Sequence, residues 1–531
     1  MHHFFNRAAI WVAVFAGLSS VGGQASTLDT IGVTLLRGVT TNVNGAGITV
    51  GQAEGGYETA TNWQVNPGAV GQPTNLFTYF YGTLPYVLVS SASTYPNSLG
   101  GPSGHANYVA GNFYGLAVGV ATNVAHVNNY EANTFINHYI NLGNTISERV
   151  VNQSFTFGSY DASWDQKYDN YAAANKVLFV SGAGFNGQPV YTPATCYNGI
   201  GVGVSDAYNS PNGPTPDGRS KPDITAPGTP DTVTSYTTPQ VSGAAAILLQ
   251  AGLRGDGGGD TNSATDIRTL KALLLNGAIK PTDWTNSVST PLHPRYGAGV
   301  LNVFNSYKQL TGGKRGYVVS TTVATSGAHP PTGATGTVSV LSGWDFNTNT
   351  SGKLPSQFDA VNHYYFNVTN NLSGAQYTAT ATLVWNRQSG QAAINNLNLF
   401  LYNCANSNLV ACSTSLVDNV EHIYKTNLMQ GRYDLQVWKA GGTGIVSAAE
   451  PYALAWAFVA PALNIAKSGT NAVLTWPVYP AGFRAEATTS LESPAWSPNN
   501  LSSPIVTNNM NSLILNATNA QQFFRLRQPD F

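Results

Sequence analysis

Charge is scarce in this sequence. Only 9% of its 531 residues are Asp, Glu, Lys or Arg, and the formal net charge is -1. No polybasic tract occurs, so neither nucleic acid nor an anionic lipid surface is an expected partner. Cysteine is scarce too. Three cysteines in 531 residues exclude a disulfide scaffold. Cys404 and Cys412 flank "ANSNLVA", where a disulfide at a hairpin tip is expected. Cys196 stands before an apolar strand and is expected as a buried thiol. Beyond the first residues, no apolar run is long enough to span a bilayer, which takes about 20 residues.

The N-terminus has its own pattern. Arg7 is followed by apolar residues from Ala8 to about Val21 and then by "GGQA". This reads as a secretory signal over 1–25, cleaved after Ala25. A secreted or cell-surface monomer is therefore expected. The length calls for more than one core. Abundant Gly, Asn, Thr and Ser, with 11% aromatic residues, favour β-rich folds with many turns.

From 26 to 312 the pattern alternates. "GITVGQAEGG", "RVVNQSF", "KVLFVSGAG" and "GIGVGVSDA" read as strands, most of them ending in polar or glycine residues. "NYVAGNFYGLA" and "DIRTLKALLLNGA" read as helices, the second capped by Asp266 or Thr265. Strands alternating with helices predict an α/β fold: a mostly parallel sheet with helices on both faces. Its sites should gather at the C-terminal ends of the strands. From 313 to 460 the helices stop. "HYYFNVTN", "YTATATLVWNR" and "RYDLQVWKA" are typical of short strands spaced by turns, and a β-sandwich is expected. Residues 461–531 read as a small separate β-module.

Three chemically capable residues stand at element ends in the first half. Glu54 closes a predicted strand, His105 opens a predicted helix, and Ser235 stands before the apolar run "GAAAILLQ". Each alone has an ordinary explanation: a solvated acid, a packing histidine, a helix N-cap. Brought together, they make a nucleophile triad in the chain order acid, His, Ser. The letters around them resemble one family. "ITVGQAEGG", "HANYVAG" and "VTSYTTPQVSG" are similar to the acid, histidine and serine motifs of the subtilisin-like serine proteases, in family order. "DGRSKPDITAPG", "YGAGVLNV" and "VVNQSFTFG" resemble further family segments, and the likeness covers most of residues 28–310.

The resemblance implies a serine endopeptidase acting on proteins or peptides. Glu54, His105 and Ser235 would be its catalytic residues, and Ser154, Phe155 and Gly182 would line the substrate cleft. The chain departs from the family at several points. Glu54 replaces an aspartate. Phe185 falls on the asparagine that would bind the oxyanion, leaving Asn186 next door as the candidate donor. Val233 and Ala106 replace motif glycines, and no segment after Ala25 is long enough for the usual pro-domain. These departures raise an alternative, a catalytically silent fold used for binding or surface adhesion. A carbohydrate-binding role for the aromatic sandwich is a further one. No cofactor is expected. The family sandwich can bind calcium, and Asp418, Asn419 and Glu421 offer oxygens. Such residues before a strand usually form turns, and Ca²⁺ needs six or more ligands. "GDGGGDTN" reads as a loop.

Overall fold

The computed structural model describes residues 26–527 except 58, 84–86, 186, 207–209, 229–232, 325–328, 355–357, 370–376, 461–462, 478–482, 491–494, 498–500, 508–509 and 517–521. The signal segment expected over 1–25 lies outside the described residues.

Eight strands form the first sheet: β1 (Thr49–Glu54), β2 (Phe77–Thr83), β3 (Val87–Ala92), β4 (His126–Glu131), β5 (Val150–Gln153), β6 (Leu178–Gly182), β7 (Ile200–Val204) and β8 (Ile224–Ala226). Their order is β8-β7-β6-β5-β1-β4-β2-β3. Every pairing is parallel except β2 with the edge strand β3. All residues of β5, β6, β7 and β8 are buried. Burial on both faces explains why these strands read as continuous apolar or small-residue runs rather than alternating ones.

The main helices are α1 (Gly104–Phe113), α2 (Ala162–Asn175), α3 (Thr234–Arg254), α4 (Ile267–Gly277) and α5 (Val303–Thr311). Asp266 caps α4 through its carboxylate, as one of the two expected caps. Strand periodicity places two helices on opposite faces of β6. Tyr168 and Tyr171 of α2 pack on Phe179. Thr234 and Thr238 of α3 lie against Gly182, three positions on, where a Cβ would stand 3.0 Å from the Thr234 hydroxyl. Glycine there lets α3 approach the sheet closely.

Nine further strands form two antiparallel sheets. They are β9 (Val319–Val323), β10 (Ser342–Thr350), β11 (Asp359–Val368), β12 (Tyr377–Trp385), β13 (Leu397–Asn403), β14 (Leu409–Ser413), β15 (Val420–Leu428), β16 (Gly431–Lys439) and β17 (Ala449–Val459). The sheet orders are β9-β11-β16-β13-β14 and β10-β17-β12-β15. Tyr364, Phe366, Trp385, Leu435 and Trp456 lie in the core they share. Residues 464–527 add small antiparallel sheets with a core of their own around Trp476.

The sandwich is fused to the α/β half. Trp344, Val384, Val420, Ala453 and Ala455 belong to the same apolar cluster as α3 and α4. Polar ties cross the same boundary. The Arg387 guanidinium donates to buried Asp169 at 2.9 and 2.5 Å. Asp418 accepts from the Ser220 backbone at 2.7 Å across it, whereas Glu421 accepts from the Ser415 backbone at 2.6 Å within the sandwich. Asn419 donates to the Tyr197 and Trp385 carbonyls. The three residues weighed as calcium ligands are thus engaged in protein hydrogen bonds.

Cys196 is buried, as expected. The expected Cys404–Cys412 disulfide is not formed, and both thiols are free. The hairpin register explains why. Cys412 stands opposite Phe400, whereas the Cys404 backbone has passed the end of β13 and donates to Arg432 on the other side.

Candidate active site

Glu54 is the last residue of β1, at the C-terminal edge of the parallel sheet. It is fully buried, and its Oε2 lies 2.9 Å from His105 Nδ1. The extra methylene relative to aspartate is thus accommodated at ordinary hydrogen-bond length. Its other oxygen accepts from Gln52 Nε2 at 2.8 Å. The same amide donates to the Ala106 carbonyl at 3.1 Å, and the Tyr114 hydroxyl donates to Gln52 Oε1 at 2.6 Å. Gln52 therefore links the acid strand to the helix that carries His105. Sequence reading missed it, yet a signal existed. Gln52 and Glu54 are two apart on a strand, hence on one face.

His105 enters α1 just after its cap, Ser103, whose hydroxyl accepts from the Ala106 backbone N–H. Its side chain is 14% exposed. Burial alone would lower its pKa. The hydrogen bond and negative charge of Glu54 outweigh that and hold the imidazole above its ordinary value. With Nδ1–H directed at the carboxylate, Nε2 faces away and is the nitrogen available to take a proton.

Ser235 is the second residue of α3. The helix cap is Val233, which makes no side-chain cap bond, so Ser235 is not the N-cap. It lies in the first turn, where backbone N–H groups have no intrahelical partner and the helix dipole favours negative charge. Pro239 sits inside α3. It has no N–H to donate to the carbonyl four residues back, which is that of Ser235. That carbonyl accepts instead from Ser154 Oγ at 3.0 Å. Reciprocally, Ser235 Oγ donates to the Ser154 carbonyl at 3.3 Å. The Thr234 hydroxyl donates to the Gly184 carbonyl at 2.8 Å and accepts from its N–H at 3.3 Å. This ties the glycine-rich loop after β6 to the start of α3.

The fold therefore collects Glu54, His105, Ser235, Ser154 and Gly182 at one end of the sheet. His105 reaches Ser235's neighbour directly, with the Tyr236 ring centroid 5.9 Å from its own. Phe155 is partly buried against the main core. Phe185 is 57% exposed, its ring turned to solvent. Asn186 lies outside the described residues. Tyr236, the residue after Ser235, was also missed in sequence.

A mostly parallel sheet thus carries an acid at a strand end, a histidine on one helix and a serine in the first turn of another. Residues 89–299 match the model of the Subtilase family (Peptidase_S8), which supports a serine protease. The matched region contains His105 and Ser235 and begins after Glu54. Among solved structures, the chain is similar to proteases from Pseudoalteromonas arctica, at 18% identity over 53% of this chain and 94% of that one, with a TM-score of 0.37. A psychrophilic subtilisin-like protease from Pseudoalteromonas sp. AS-11 is similar at 13% identity over 53% of this chain and 98% of that one, with a TM-score of 0.35. Tripeptidyl peptidase 2 is similar at 12% identity over 77% of this chain and 44% of that one, with a TM-score of 0.33. No curated protein matches the chain. Among the described residues, no helix is long and apolar enough to cross a membrane.

Proposed function

We propose that the protein is an exported serine endopeptidase working through Glu54, His105 and Ser235. The observation that carries this reading is the 2.9 Å contact from His105 Nδ1 to the buried Glu54 carboxylate, beside a serine in the first turn of a buried helix. Ser235 Oγ attacks the scissile carbonyl as its proton passes to His105 Nε2. The imidazolium is stabilised by the Glu54 carboxylate. The oxyanion forms against the N–H groups at the start of α3, with the Asn186 amide as second donor. His105 then returns its proton to the leaving amine, and water repeats the sequence on the acyl-enzyme. No cofactor enters this chemistry.

Ser235 Oγ rests on the Ser154 carbonyl rather than on His105. A 3.3 Å bond is at the weak end of the range, and a hydroxyl rotates freely to suit its partners. This orientation also motivates the rival reading, a silent fold used for binding. Labelling with a fluorophosphonate separates the two. The enzyme adds one probe mass on the peptide containing Ser235, and Ser235→Ala adds none. Folded wild type left unlabelled, under conditions that label a related protease, favours the silent fold.

A further inference from the structure

Two tyrosine rings lie against His105, and a third joins them through Tyr236. Tyr57 comes from the loop after β1, and its ring stacks on the imidazole with centroids 5.4 Å apart and planes 29° apart. Tyr236 follows Ser235 on α3 and lies 5.9 Å from His105. Tyr108 stands three residues after His105, on the same face of α1, and its ring is 5.3 Å from that of Tyr236. Tyr57 is 53% exposed and Tyr108 65% exposed. An aromatic surface that is open to solvent and continuous with a reaction centre needs a partner, because large exposed apolar rings in one patch mark binding surfaces.

We propose that these rings form a subsite for a large apolar or aromatic side chain on the residue that follows the scissile bond. The inference rests on the serine protease reading above. Its logic is positional. His105 must hand its proton to the leaving nitrogen, so that nitrogen lies against the imidazole. The side chain on the same residue begins one carbon further on. The rings flanking His105 at that distance are those of Tyr236 and Tyr57, with Tyr108 extending the wall outward. The acyl half of the substrate lies on the other side, toward Ser154 and Gly182. Ring-on-ring contact of the offset or edge type is worth about a tenfold preference in a favourable case. The hydroxyls keep the rims of these rings wet, so the wall stays soluble between substrates.

The test uses the full-length protein and quenched peptides with one fixed acyl half. The residue after the scissile bond is varied among Phe, Leu, Gly and Asp, and cleavage positions are read by mass spectrometry. Wild type is expected to cut the Phe peptide about tenfold better in kcat/KM than the Gly peptide, with the Leu peptide between them. Tyr108→Ala and Tyr236→Ala should each collapse that ratio at least threefold, while Tyr108→Phe and Tyr236→Phe restore it. A wild-type ratio near one overturns the subsite, as does a ratio the alanine variants leave intact. Fluorophosphonate labelling of wild type is run alongside. A labelled enzyme without the preference refutes only the subsite. An unlabelled and inactive one refutes the protease reading, and the subsite with it.

Discussion

On the proposed function, shortening Glu54 to the aspartate of the subtilase motif is predicted to damage catalysis. His105 Nδ1 is 2.9 Å from Glu54 Oε2, and Gln52 Nε2 is 2.8 Å from Oε1. Removing one methylene retracts both oxygens by roughly 1 Å, which opens each bond toward 4 Å, beyond hydrogen-bond range. β1 cannot follow, because it is fixed on both sides by β4 and β5. An imidazole left unaligned by about 1 Å loses roughly 100-fold in rate, close to 3 kcal/mol of transition-state stabilisation. The deleted buried methylene costs folding stability of about 1 kcal/mol. Glu54→Gln keeps the length but offers a neutral amide, and its loss should be nearer 10⁴-fold, as when a triad carboxylate is neutralised. The assay is kcat/KM on one peptide, with the fluorophosphonate labelling rate as a second measure and the urea midpoint as a fold control. Glu54→Asp within threefold of wild type would refute the claim that this carboxylate–imidazole spacing sets the rate.

Because Glu54 raises the His105 pKa, activity should fall as pH drops through a value above 6.5, and Glu54→Gln should move that limb downward in a pH–rate profile. The raised value also contributes folding stability that is complete below the unfolded pKa and disappears as pH rises through the folded one. Tyr114→Phe removes the donor to Gln52 Oε1 and leaves a buried acceptor unpaired, so stability should fall by about 1–3 kcal/mol and kcat more than KM. Lys280 is buried, with its ammonium near the Trp284 and Tyr424 rings, and burial pushes it down to about 7. The unfolded chain binds that proton up to about pH 10.5, so the penalty is complete below pH 7 and vanishes above 10.5. Lys280→Met should therefore stabilise at pH 6, by roughly 5 kcal/mol at most, with a gain in urea midpoint that shrinks toward pH 10. Arg387→Ala strands Asp169 without its cation and should cost about 3–5 kcal/mol. A single calorimetric transition at lower temperature is expected, since the sandwich and the α/β half share one core.

The parts legible in sequence were those set by local pattern. β1, β5, β6 and β7 were readable because short apolar runs ended in polar or glycine residues, and α4 because its apolar positions recur at helical spacing under an Asp cap. Glu54, His105 and Ser235 were marked by glycines and by element ends, where the backbone turns. Side-chain partners from distant segments were not legible. Gln52 holds Glu54 and meets Tyr114 across 62 residues, and no local rule connects them. The Cys404–Cys412 expectation failed for the same reason, because proximity in sequence did not fix the register of β13 and β14. Pro239 was visible as a motif letter, but its consequence was not. Only the fold shows that the carbonyl it frees is the one that Ser154 occupies.

The sandwich holds a second carboxylate–imidazole–hydroxyl chain, and the contrast shows what makes the first a candidate site. His363 Nδ1 lies 2.8 Å from Asp434, and its Nε2 lies 2.8 Å from the Thr321 hydroxyl. By connectivity alone this chain is the more complete of the two, since Ser235 is not bonded to His105. Its surroundings differ. Thr321 is on β9, an edge strand paired with β11, and a strand supplies no cluster of unpaired N–H groups or dipole to an oxyanion. His363 and Asp434 are both closed off from solvent. Ser235 instead opens a 21-residue helix at the C-terminal edge of a parallel sheet, and His105 keeps a face toward solvent. A carboxylate–imidazole pair closed off from solvent beside an edge strand has no route to a substrate. The same connectivity at a helix N-terminus, with one face open, leaves its capacity for charge unspent, and that unspent capacity is what a developing oxyanion requires.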